Sequence, residues 1–133
     1  MSSIKVTFGS GKKVQASLRN FIIETDQPER SGGDNSAPSP YELFLASLAT
    51  CAGFYAKIFC DSRKITTDGI EIEQSLEYDP LKRKLSKILF SVSLPNSFPE
   101  QYREPLMRSI EQCAVKLTIQ DPPDFEVVTK KPF

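Results

Sequence analysis

The chain carries three cysteines, at 51, 60 and 113, and no histidine. Without histidine there is no Ser-His or Cys-His dyad and no common zinc ligand set. Three thiols without a C-x-x-C pair do not complete a four-thiolate centre, so no metal is expected. Whatever chemistry the chain carries must run on Cys, carboxylates, Lys, Arg or Tyr, and the thiols available are Cys51, Cys60 and Cys113. A thiol reacts as its thiolate, so a reactive cysteine needs something that stabilises negative charge on sulfur. Residues 1–20 carry four bases and no acid, whereas residues 21–42 carry five acids and one base. Lys12, Lys13 and Arg19 are therefore the cations available to such a thiolate.

Composition bounds the rest. One domain, 1–133, is the expectation for 133 residues. The 17 Lys and Arg balance the 17 Asp and Glu, which argues against a nucleic-acid partner held by a basic excess. The N-terminus lacks the apolar core of a secretory signal. An odd number of cysteines then fits a reducing, cytoplasmic setting. Leu43 to Phe59 is the longest apolar stretch; with Ser47, Thr50 and Lys57 inside it, it reads as just short of a membrane span, so no membrane partner is expected.

The elements that must position the thiols follow from periodicity. Strands are predicted at 3–8, 13–19 and 21–25, then at 69–78 and 85–94 around Asp79-Pro80, and last at 125–129. The Lys82–Lys87 run reads as a solvated hairpin shoulder. Residues 26–40 are rich in Gly, Pro, Ser and Asp and form a loop long enough to suggest function. Ser39-Pro40-Tyr41-Glu42 is a capping box with Pro at the first helical position, opening a long helix to about Asp61. This helix is apolar nearly all round and should be buried. Its small residues Ala46, Ala49, Gly53, Ala56 and Cys60 share one stripe, which suits close packing on a sheet or pairing with a second copy of the helix. Ser97 to Glu100 reads as a second capping box opening another helix, which Pro105 should kink or restart. Beyond Pro105, Leu106, Ile110, Cys113 and Leu117 form one apolar helical face. The order β-β-β-α-β-β-α-β is α+β, with antiparallel sheets packed on two long helices.

Cys51 sits mid-helix, too far from the capping box for that helix's dipole to act on it. Cys60 lies about 180° round the helix and about 13 Å along it, so these two cannot form a disulfide. If the two helices pack face to face, Cys51 and Cys113 are the pair able to meet. Cys60 reads as a small residue ending the stripe. Glu42 reads first as the capping carboxylate, and Tyr41 or Glu42 could project toward the pocket of Cys51.

The run from Gly32-Gly33 through Pro38-Ser39-Pro40-Tyr41-Glu42-Leu43 to Cys51 resembles the signature of the OsmC/Ohr family, and Cys113-Ala114-Val115 resembles its second cysteine motif. With the element order and length, the resemblance spans essentially the whole chain. It implies an OsmC-like fold in an intertwined homodimer with the long helices at its centre. It also implies a thiol peroxidase for organic hydroperoxides, with Cys51 attacking the peroxide and Cys113 resolving. No bound cofactor is implied; an external dithiol reductant, often a lipoyl group, regenerates the thiols. The family's hairpin Arg, which holds the thiolate, is absent here. Gly11-Lys12-Lys13 occupies that stretch, leaving Lys12, Lys13 or Arg19 to substitute, with Glu42 beside them. Tyr41, Phe44, Phe54 and Tyr55 are the candidate apolar walls of the substrate pocket. The Tyr41-Glu42-Leu43 pattern resembles the OsmC-like branch, so the alternative is a non-catalytic protein that binds a small molecule or senses redox state.

Overall fold

The computed structural model describes residues 3–130. The chain divides into two compact units, Met1–Ser47 and Leu48–Phe133.

In the first unit, β1 (Lys5–Phe8), β2 (Val14–Leu18) and β3 (Phe21–Thr25) form an antiparallel meander in the order β1-β2-β3. Tight turns set the register. Phe8 pairs with Val14 across the Gly9–Lys13 turn, and Leu18 pairs with Phe21 across Arg19-Asn20. The loop after β3 is organised by one carboxylate. Asp26 is 1% exposed and accepts hydrogen bonds from the Ser36 hydroxyl at 2.7 Å and from the N–H groups of Ser36, Gln27 and Asp34. The Ser36 hydroxyl does most to hold this carboxyl well below the usual range, followed by the Ser36 and Gln27 N–H groups, with burial opposing and Asp34 adding less. Gly33 is required here, because a Cβ would overlap the Gln27 carbonyl oxygen.

The long helix α1 (Pro40–Ser62) starts where the capping box predicts. The Ser39 N–H donates to Glu42 Oε1 at 3.0 Å, and the Glu42 N–H donates to Ser39 Oγ at 3.2 Å. Two expectations about this helix need correction. At 23 residues it is long and apolar enough to cross a membrane by length and composition, which the internal Ser, Thr and Lys do not prevent. It is also not buried all round. Only 28% of its most apolar window is buried, along the stripe Leu48, Ala52, Ala56, Phe59 and Cys60. A helix covered on one side buries one stripe, however apolar its other faces are.

In the second unit, β4 (Glu71–Asp79) and β5 (Lys84–Ser93) form a two-stranded antiparallel hairpin. Ile72 faces Val92 and Leu76 faces Ile88 across the pair. Ala52, Ala56, Phe59 and Cys60 of α1 pack with Phe98, Leu106 and Ile110, backed by Ile70, Ile72, Phe90 and Val92. Ala56 and Cys60 thus serve packing on the sheet, whereas a Cβ on Gly53 would meet nothing within 4 Å.

The second helical region restarts close to the expected Pro105 and is broken a second time, after Ile110. It comprises a short 3-10 turn at Glu100–Tyr102, α2 (Arg103–Ile110) and α3 (Ala114–Gln120). The Ser97–Glu100 box does not open it. Pro99 caps the 3-10 turn without a side-chain bond, and the Glu100 carboxylate accepts from Arg103 instead. Nor is there a strand at 125–129, since residues 122–130 adopt no regular structure. An alternating apolar pattern supplies strand propensity, but a strand also needs an edge to pair with.

Candidate active site

The second unit brings two thiols together. Cys51 lies on α1, and Cys113 lies in the break between α2 and α3. At the end of α2, the Glu111 N–H still donates to the Met107 carbonyl at 3.2 Å. Cys113 then leaves the helical region, at φ −49° and ψ 118°, and becomes the N-cap of α3. Its carbonyl accepts the Leu117 N–H at 3.0 Å. The first N–H groups of a helix have no partner inside it, and here they turn to sulfur. Cys51 accepts hydrogen bonds from the N–H groups of Val115 and Ala114 and from the Cys113 thiol. Lys116 and Val115 direct N–H groups to the Cys113 sulfur.

The two thiols are thereby made unequal. Burial raises the pKa of Cys51, but the Val115 N–H, the Cys113 thiol and the Ala114 N–H together outweigh it and leave Cys51 below the ordinary thiol value. Burial also raises Cys113; there the Lys116 N–H offsets part of the effect, while donation to Cys51 adds to it, so Cys113 stays above the ordinary value. Of the two sulfurs, Cys51 is the one whose negative charge is better stabilised, and Cys113 the one that holds its proton more firmly. Both are free thiols. Cys60 is fully buried in the core, and burial pushes its thiol up.

Cys113 also opens onto a cavity of about 260 Å³, lined by Leu48, Ala52, Ile88, Phe90, Val92 and Met107, with Glu111 and Lys116 among its polar lining. Phe54 and Tyr55 do not line it. Their rings meet edge to face at 5.6 Å, and Phe54 is exposed. Tyr41 and Phe44 form a second ring pair, at 5.8 Å, and Tyr41 is exposed.

The sequence-predicted charged residues lie in the first unit. Lys13 donates to Asp34 and is held above its usual range by that bond. The Lys12 side chain lies against Gly32. Arg19 stacks over Phe21 with its Cζ 4.9 Å from the ring centroid. Glu42 is occupied by the cap; the Ser39 N–H, then the Ser39 hydroxyl, lower its pKa against burial, with Arg30 helping. The donors at Cys51 that sequence reasoning missed are main-chain groups. The signal that could have found them is a predicted end to the helix at Cys113.

A sequence model described as OsmC-like protein matches residues 33–128, which include Cys51, Cys113, Ala114 and Val115. The chain belongs to the OsmC-like family. Lys12, Lys13 and Arg19 fall outside the matched OsmC-like segment. Solved structures bear out the OsmC-like α+β fold. One is a Psychrobacter arcticus protein described as an osmotic stress induced and detoxification response protein: TM-score 0.74, 22% identity, covering 89% of this chain and 88% of that one. An OsmC-like protein from Mycoplasma pneumoniae gives a TM-score of 0.70 at 16% identity, covering 92% and 89%. An organic hydroperoxide resistance protein OsmC from Legionella pneumophila gives 0.55 at 21% identity, covering 90% and 89%. No curated protein matches the sequence.

Proposed function

We propose that this protein is a thiol peroxidase that reduces organic hydroperoxides, with Cys51 as the attacking thiol and Cys113 as the resolving one. The observation that carries the reading is the Cys51 sulfur, held below its ordinary pKa by two main-chain N–H groups and the Cys113 thiol. Similarity to an organic hydroperoxide resistance protein agrees with it. The Cys51 thiolate attacks the terminal oxygen of R–O–O–H. The O–O bond breaks, the alkoxide leaves and takes a proton to become an alcohol, and Cys51 becomes a sulfenic acid. Cys113 sulfur then attacks the Cys51 sulfur. Its proton and the departing hydroxide form water, and a Cys51–Cys113 disulfide remains. An external dithiol, such as a lipoyl group, reopens it by exchange. The largely apolar cavity beside Cys113 suits an alkyl or aryl group better than hydrogen peroxide.

The working unit is proposed to be a homodimer in the cytoplasm. The exposed apolar side of α1 is surface that a second copy would cover, and so, within the first sheet, is the face that carries exposed Val6, Phe8 and Phe21.

Cumene hydroperoxide should drive wild-type protein to a Cys51–Cys113 disulfide, seen by mass spectrometry. Cys113→Ser should stop at the Cys51 sulfenic acid, Cys51→Ser should form neither, and dihydrolipoamide should sustain turnover. Unoxidised Cys51 after cumene hydroperoxide would refute the peroxidase reading and favour the non-catalytic alternative.

A further inference from the structure

On the second unit, a broad depression of about 470 Å³ gathers Arg63 and Arg108 with Ser62, Ser109 and Gln112 around apolar Ile58. No carboxylate and no cysteine lines it, so it stands apart from the thiol chemistry. Arg63 is held in place. Its Cζ lies 3.7 Å from the ring centroid of Phe59 and 5.6 Å from that of Tyr102. Its Nη1 donates to the Phe59 carbonyl at 3.4 Å and to Ser62 Oγ at 3.0 Å. Among the described hydrogen bonds of this guanidinium only Nη1 is engaged, which leaves an edge of the fork for a ligand. Arg108 has Glu104 at 3.8 Å, but both side chains are well exposed, and a pair of that kind contributes little and is readily exchanged. Ser109 donates to the Tyr55 carbonyl at 3.4 Å, which ties α2 to α1.

We propose that this depression binds a small oxyanion, a carboxylate or phosphate group, between the Arg63 and Arg108 guanidiniums. A planar fork matches two oxygens of either group, and stacking Arg63 on Phe59 reduces the entropy lost when the ligand binds. The Gln112 amide is a further donor, one residue before Cys113, so occupancy should register at the break between α2 and α3.

The test is an NMR titration of labelled protein with sodium phosphate and, separately, with sodium succinate, at constant ionic strength against sodium chloride. Expected are saturable shifts of the Arg63 side-chain N–H and the Gln112 amide. Which anion produces them identifies the oxyanion, and either one supports the site. Arg108→Gln should weaken the affinity about tenfold. Arg63→Lys, which keeps the charge and loses the fork, should also weaken it. Shifts no larger than with chloride, or an affinity unchanged in Arg108→Gln, would overturn the proposal.

Discussion

The inequality of two sulfurs is a property of single atoms. Cys113 donates its proton toward Cys51, and the Ala114 and Val115 N–H groups point the same way, so negative charge is favoured on Cys51. Removing a donor from a thiolate raises its pKa. In wild-type protein the rate of iodoacetamide alkylation at Cys51 should therefore rise with pH through an inflection below the ordinary thiol value, and Cys113→Ala should move that inflection upward. Peptide mapping of alkylation against pH checks this; an unchanged inflection would mean that the Cys113 thiol does not hold the charge. Asp26 gives a second residue-scale prediction, with the sign of an acid whose folded pKa is lowered. Its contribution to stability is complete above the unfolded value, near 3.8, and is lost as pH falls from there toward the lower folded value. Wild type should outlast Asp26→Asn in thermal unfolding at neutral pH, and the gap should narrow below about pH 4.

Among elements, the start of α1 and the loop before it were legible because their signals are local. Ser39 and Glu42 are three residues apart, and the bonds they exchange depend only on helical geometry. Ser39→Ala should lower stability by about 0.5–2 kcal/mol, read from the urea midpoint. Gly33→Ala should cost more in the same measurement, because the added carbon would overlap the Gln27 carbonyl. The α2–α3 break was not legible. Ile110, Cys113 and Leu117 keep helical spacing in sequence, yet Cys113 leaves the helix and Leu117 is half exposed. A periodic pattern reports which faces are apolar, but an interruption whose freed N–H groups bond to a sulfur sixty-odd residues away has no local signature.

Over the whole molecule, the apolar surface left uncovered is the feature that asks for a partner. Phe54 on α1 is 57% exposed, and exposed apolar side chains also lie on the first sheet and at Phe125, Val127 and Val128. If a second copy covers α1, light scattering at micromolar concentration should give twice the mass of one chain. Phe54→Asp, a charge placed on that face, should shift the population toward monomer without unfolding it, as circular dichroism would show. A wild-type monomer would contradict the homodimer. The expected sixth strand belongs to this scale too, because residues 125–129 carry a strand pattern without a partner edge in one chain.

By itself the sequence determined the α+β class, the five paired strands, the capped long helix and the family, since turn residues, alternation and capping spacings act over a few residues. By leaving histidine out it also restricted any chemistry to Cys, carboxylates, Lys, Arg or Tyr. Only the tertiary structure decided which groups meet Cys51. Within the first unit, Lys13 is bonded to Asp34 and Arg19 is stacked on Phe21. The groups that meet the sulfur are the N–H donors of Val115 and Ala114 and the thiol of Cys113. Every residue but proline carries such an N–H, so its presence says nothing in a sequence; its direction, set by where a helix begins, is what turns it toward a thiolate.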